Sequence, residues 1–499
     1  MEASAAGRWP FTLADQYRLY ARMGEGFVEA IARVESGDQQ RALLLCGGRI
    51  LISGYHHALV AGVLANAPAL ASLAPSPYTD YLAGKSSEMP PVQARAANPG
   101  APRFAMIRRW LRTASWSPVT RLPRSLIAPE AVAISHNHLL CAEAKRHAIG
   151  YWHAGSILPE QISPDDGNAD LVAELAKYCA MAIVAPAGLP DELAFRLRGM
   201  LEDIGKLHIG LAFRDLGLAR NIAGLPMNIW SGSAGYWPAR VLGIEILRRG
   251  GTVTRFEHGG EFGFRRDHAT SAFSEFVGTS TFVLPTEALA SRFRRTEAAR
   301  AFPPRPLVRG GHGDPTYRPA LRPRVHSRTR RVLYGTPPFV GPRGMFPPIL
   351  PDAVGFELQK RVVGILKSLP VQVLLRPHPE GLRGGSANPL AALHACEGRS
   401  YDDLLPEADV ILFDHVVTTT FTMALCSDRP IVMLDYGIRF FADDVEAMLD
   451  RRCARVPVVY DERGLPDVSA SALGDAILGA PDRVDPEPFR SLFLGTIDR

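Results

Sequence analysis

Val371–Glu380, VQVLLRPHPE, decides the fold. It reads as a buried strand that runs directly into Arg376-Pro377-His378-Pro379. In an open α/β sheet, ligands bind beyond the carboxyl ends of the strands. An Arg and a His placed there both donate hydrogen bonds to a phosphate.

The neighbouring sequence repeats the pattern. Val332–Tyr334, Asp409–Phe413 and Ile431–Leu434 read as further strands, and Phe356–Ser368 and Thr419–Cys426 as the helices among them. Strands alternating with helices predict a parallel, doubly wound sheet. The N-terminal half shows the same alternation. Ala131–Ser135, Ala148–His153, Asn228–Ser231, Thr252–Glu257 and Thr281–Pro285 are predicted strands. His138–His147, Ala169–Ala185, Leu189–Leu218 and Tyr236–Arg249 are predicted helices. Upstream, Phe11–Val34 reads as a helix with Thr12 and Asp15 spaced as a capping box, and Arg41–Cys46 as a short buried strand before a Gly47-Gly48 turn. Residues 301–330 hold six prolines, seven arginines and one acid, the composition of a stiff linker. The expected fold class is therefore α/β, with two Rossmann-like domains whose parallel sheets face a cleft. The expected division is residues 1–300 as the first domain, 301–330 as the linker and 331–499 as the second domain.

The bulk composition narrows the class. A 499-residue chain with 46% hydrophobic and 21% charged residues is an ordinary globular composition with material for two or three domains. A net charge of +5 is too small and dispersed to argue for nucleic acid, and leaves room for anionic substrates or a membrane surface. Six scattered cysteines without a C-x-x-C pair read as reduced cytosolic thiols. The N-terminus MEASAAGRWPF shows no secretory pattern. Ile50–Thr79 has no Asp, Glu, Lys or Arg, which suits a membrane span by length. The histidines that open it and Pro68 favour two short packed helices instead. The basic, aromatic segment Phe104–Trp116, with Arg108, Arg109, Trp110, Arg112 and Trp116, suits either peripheral contact with a membrane or lipid-linked acceptor, or an ordinary solvated helix face.

Four strand-end loops in the C-terminal half share one sheet edge: Gly335-Thr336-Pro337-Pro338, Arg376–Pro379, Asp414–Thr420 and Asp435-Tyr436-Gly437. Thr418, Thr419 and Thr420 stand where a helix begins, and hydroxyls there suit an anion. Simple N-capping is the alternative for each of them, and a structural turn histidine is the alternative for His378. In the other half, Thr252–Glu257 runs into His258-Gly259-Gly260-Glu261. Gly259 and Gly260 allow close approach of backbone to ligand, and His258 and Glu261 are candidate bases. A tight turn with incidental polar residues is the competing reading. His136, His138 and His153, also near strand ends, are candidate acceptor contacts, and core or rim histidines are the equal alternative. No acidic or Cys partner is spaced to make them a metal site, so no metal and no cofactor are expected.

The series HGGEFGF, LYGTPPF, LLRPHPE, ADVILFDHVVTTTF and DRPIVMLDYG resembles bacterial glycosyltransferases of the GT-B fold. The resemblance is strongest to the superfamily of CDP-glycerol glycerophosphotransferases of teichoic-acid synthesis and surface-polysaccharide transferases, capsule Kdo transferases included. It spans residues 228–437 through short motifs. It implies that His378 contacts the donor phosphate, that Thr418 and Thr419 stand for the serines of a D-Y-S-S turn, and that His258 is the base at the cleft. Three departures bear on donor identity: Glu257 replaces a Gln before the His-Gly pair, His415-Val416-Val417 displaces the hydroxyl run, and TPPF replaces a P-T-W-R motif. The expected activity is transfer of a sugar, or a related phosphopolyol, from a nucleotide-activated donor to a surface-polysaccharide or lipid-linked acceptor. The expected setting is the cytoplasm, at the inner face of the membrane. A sugar-nucleotide epimerase or hydrolase, or a non-catalytic nucleotide- or glycan-binding protein, are the alternatives on the same fold.

Overall fold

The computed structural model describes residues 7–92, 122–152, 168–232, 236–266, 275–296, 305–341, 348–379 and 388–495. The basic segment at 104–116 and His153 lie outside them.

In the N-terminal half, helices α1 (Leu13–Ala32) and α2 (Gly37–Asn66) come first. Thr12 and Asp15 close α1 with the expected capping box. Then follow β1 (Ala131–Ala133), α3 (His138–Ala144), β2 (Ile149–Tyr151), α4 (Ala169–Val184) and α5 (Asp191–Arg220). The half continues through β3 (Asn228–Ser231), α6 (Trp237–Arg248), β4 (Thr252–Phe256), β5 (Thr281–Leu284), α7 (Glu287–Phe293) and β6 (Leu307–Gly310). The six strands form one parallel sheet, in the order β2-β1-β3-β4-β5-β6.

The C-terminal half holds β7 (Arg331–Gly335), α8 (Asp352–Ser368), β8 (Gln372–Arg376), β9 (Val410–Phe413), α9 (Thr419–Leu425) and β10 (Ile431–Asp435). It ends with α10 (Asp443–Arg452), β11 (Cys453–Tyr460), β12 (Pro466–Val468), α11 (Ala470–Leu478) and α12 (Glu487–Phe493). Its sheet runs β12-β11-β10-β9-β7-β8 and is parallel except for the β11–β12 pair. VQVLLR is thus an edge strand beside β7, which places its RPHP turn on the same edge as the ends of β7 and β9. Val410, Ile411, Leu412 and Phe413 are all buried, as a central parallel strand requires.

Three expectations are corrected. Arg41–Cys46 is the interior of α2, not a strand. Ile50–Asn66 continues that same helix, which ends before Pro68, and Pro68–Leu73 is a short 3₁₀ turn. The physical reason is burial on nearly every side: α2 packs against α1, α4, α5 and α6. A helix buried all round loses the 3.6-residue pattern that would mark it, and a short apolar run is then ambiguous. Its most apolar window is long enough to cross a membrane, yet 72% of that window is buried within the protein.

The third correction concerns residues 301–330. Leu307–Gly310 is β6, the edge of the N-terminal sheet, and Pro315–Leu321 is a 3₁₀ turn that buries Tyr317 and Ala320. Pro306 and Pro315 flank β6 rather than interrupt it, and an edge strand needs hydrogen bonds on one side only.

The halves are stitched together. The Leu492 and Phe493 carbonyls of α12 accept from Thr286 Oγ1 (2.6 Å) and the Asp314 N–H (2.9 Å). Phe264 of the N-terminal half sits among Phe441, Phe489 and Phe493, with ring centroids 5.2–6.1 Å apart. The Leu13 N–H at the start of α1 also donates across the halves, to Tyr460 Oη at 2.9 Å.

Candidate active site

The cleft between the carboxyl edges of the two sheets encloses about 280 Å³. His258, Gly259, Glu261, Arg265 and Glu275 line it from the N-terminal half; Thr336, His378, His415, Thr418, Thr419 and Thr420 face them. Gly335 completes the lining at the end of β7. Loops read separately from sequence therefore meet in one space.

The His-Gly-Gly turn is built for its position. Gly259 and Gly260 both have positive φ (107° and 74°). A Cβ on Gly260 would fall 2.0 Å from Tyr317 Oη, so only glycine lets the turn lie against that buried ring. Buried Thr422 of α9 donates through Oγ1 to the Gly259 carbonyl at 3.1 Å. That bond fixes the His258 turn to the threonine turn across the cleft. Behind it, Asn137 donates to the Gly232, Phe256 and Glu257 carbonyls (2.6, 3.1 and 2.9 Å) and pins the ends of β3 and β4.

His258 is exposed to the cleft, whereas Glu261 is tied to Arg265 (Oε2 to Nη1, 3.0 Å). Burial pushes the Glu261 carboxyl up, with Arg265 and His258 opposing the shift. Burial does the same to Glu275, opposed chiefly by Arg255 and His258. Glu257 is raised well above the usual carboxylate range, first by burial and then by the charges of Asp314, Glu261 and Glu275. One oxygen of Glu257 accepts from the Glu261 N–H at 3.1 Å. Glu275, Arg265 and Thr422 lie in no motif that marks them; only the packing brings them here.

On the opposite wall, Thr418 is the N-cap of α9 (Thr420 N to Oγ1, 3.4 Å), as the capping alternative has it, and its hydroxyl also meets that of Thr420 at 3.0 Å. Half-buried His378 reaches the cleft but Arg376 does not. The Arg376 guanidinium donates to the Pro377 carbonyl at 2.6 Å instead. The fourth loop also stays out of the cleft: Tyr436 Oη donates to the Asp414 carbonyl at 3.0 Å, and Asp435 accepts from the Gly437 N–H at 2.9 Å. Asp414, beneath the floor, accepts from Tyr334 Oη (2.8 Å) and Gln359 Nε2 (3.2 Å), and burial holds its carboxyl up at about 7.

His136 and His138 are exposed and do not line the cleft. His136 meets Tyr151 edge-on at 6.5 Å, and His138 lies within electrostatic reach of Asp314. Among the described residues no group of three or more His, Cys, Asp or Glu is arranged to hold a metal ion.

Two mostly parallel six-stranded sheets facing one cleft across their carboxyl edges define an α/β fold of GT-B-like architecture. No family model matches the chain, and no curated protein does. Among solved structures, a variant of the wall teichoic acid polymerase TagF is similar over 54% of this chain and 69% of its own, with 13% identity and a TM-score of 0.30.

Proposed function

We propose that this chain is a transferase that moves a sugar, or a related phosphopolyol, from a nucleotide-activated donor to a hydroxyl of a surface-polysaccharide or lipid-linked acceptor. The observation that carries the reading is the convergence of His258 from one sheet with His378 and Thr418–Thr420 from the other on a single cleft. The donor phosphates lie against His378 and the threonine hydroxyls, all of them hydrogen-bond donors to oxyanions. The acceptor hydroxyl enters from the other half and gives its proton to His258 as the bond to the donor forms. The same phosphate contacts stabilise the charge that develops on the departing nucleotide. In this reading the protein works at the inner face of the membrane, with the segment at 104–116 touching lipid or lipid-linked acceptor.

A thermal-shift screen of the full chain against CMP-, CDP-, UDP-, GDP- and dTDP-linked compounds tests it. A ligand that binds only the native state at about a hundred times its Kd adds about 2.7 kcal/mol of stability. One base should therefore raise the melting temperature by several degrees. The absence of a shift with all five would overturn the donor assignment.

A further inference from the structure

Thr422 is 2% exposed, and its hydroxyl meets two carbonyls. One is that of Gly259, across the cleft at 3.1 Å; the other is that of Thr419, in its own helix at 2.9 Å. A hydroxyl has one hydrogen to donate. The Thr419 carbonyl alone would match it, so the bond to Gly259 is not needed to pair a buried group. Its effect lies at the far end, on the His-Gly-Gly turn.

That turn has little stiffness of its own. Gly259 and Gly260 both lie at positive φ, and glycine has the widest backbone freedom. The chain is pinned on either side of them. Asn137 donates to the Glu257 carbonyl before the turn, and Glu257 Oε1 accepts from the Glu261 N–H after it. Between these anchors, Thr422 grips Gly259, the residue next to His258. The space there is narrow: a Cβ on Gly259 would lie 3.4 Å from Thr419 Oγ1, and one on Gly260 3.0 Å from the Phe493 ring. Thr422 stands about one helical turn beyond Thr419. A single side chain thus joins the loop that carries His258 to the turn that carries Thr418–Thr420.

We propose that Thr422 is a positioning residue: through the Gly259 carbonyl it fixes the His258 imidazole opposite the threonine turn, where the acceptor gives up its proton. The inference rests on the transferase reading above. Thr422 is not among the residues that line the cleft, so it acts through His258 and not on a substrate. A reacting group misplaced by about 1 Å can cost about a hundredfold in rate.

The first test needs no donor. In hydrogen exchange of the full-length protein, T422V should speed exchange across residues 257–264 several-fold, while residues 410–414 exchange as in the wild type. T422S, which keeps the hydroxyl, should exchange like the wild type. Equal exchange in T422V and the wild type would overturn the proposal. The second test is turnover, read as nucleotide release from whichever CMP-, CDP-, UDP-, GDP- or dTDP-linked compound binds, with a lipid-linked disaccharide as acceptor. T422V should lower kcat about ten- to a hundredfold, with donor affinity by calorimetry within about threefold of the wild type. T422S should restore most of the rate, and T422A stands in where T422V folds poorly. In the H258A background T422V should cost almost nothing further, because a positioning residue acts only through the group it places. An equal loss in both backgrounds, a loss of donor affinity as large as that of kcat, or no restoration by T422S would each overturn the proposal. If none of the five classes is turned over, the transferase reading fails, and hydrogen exchange decides the hold on the turn by itself.

Discussion

The two walls of the cleft differ in kind. The N-terminal wall is charged: Glu261, Glu275 and Arg265 surround His258. The C-terminal wall has no Lys, Arg, Asp or Glu among its described lining residues; it offers threonine hydroxyls, two histidines and the flat edges of Pro337 and Pro338. The difference teaches a division of labour. The exposed His258 imidazole is the proton acceptor of that wall in the proposed reaction. Neutral donors can hold a phosphate without a permanent countercharge that would retain the leaving group. In the proposed reaction, proton chemistry and leaving-group binding thus sit on opposite halves of the molecule.

That contrast breaks most readily at His258. His258→Ala should lower kcat by about 10²–10⁴-fold, the usual worth of a general base, with donor affinity nearly unchanged. If calorimetry shows donor binding lost instead, the walls have been assigned the wrong way round.

Asp414→Asn probes the neutral character of the other wall. The folded-state pKa of Asp414 is raised to about 7 from 3.8, so its favourable contribution is complete below about pH 4. That contribution is lost as the pH rises toward 7, where the buried group must ionise. Asparagine does not ionise, and it can still accept from Tyr334 while donating to the unpartnered Oε1 of Gln359. The variant should gain on the wild type as pH rises, by up to about 4 kcal/mol near pH 8, in urea melts at each pH. A pH-independent difference would show that the carboxyl is already ionised in the folded protein.

Gly260→Ala attacks the seam between the walls. The positive φ and the clash with Tyr317 Oη together should cost roughly 2–4 kcal/mol, read as a lower denaturation midpoint. An unchanged midpoint would mean that the turn is free to move. His378→Ala should weaken donor binding about ten- to a hundredfold, the worth of one charge-assisted contact, while kcat at saturating donor falls less than in the His258 variant. A kcat loss as large as that one, with affinity intact, would erase the distinction between the walls.

How much was legible in the sequence follows from how local each feature is. Strands β3, β4, β5 and β7–β10 announced themselves through short apolar runs, and their loops through the residues that follow. His258, Glu261, Thr336, His378 and Thr418–Thr420 were all reachable by the single rule that chemistry gathers at strand ends. Arg376 obeyed that rule and still stays out of the cleft, its guanidinium held by the Pro377 carbonyl. His415 stood in a quoted loop, yet its burial becomes visible only once the packing around it is known. Glu275 and Arg265 carry no signal at all, since nothing local distinguishes them from surface charges.

The sequence by itself determined the α/β class, the succession of most strands and the polar residues delivered to their carboxyl ends, because these depend on short-range patterns of apolarity and turn chemistry. The tertiary structure alone decided which of those ends meet, that a proline-flanked segment becomes the sixth strand of a sheet, and that an apolar run is one long buried helix. Those outcomes depend on sheet order and on burial from all sides, which are contacts between residues far apart in the chain and have no local signature.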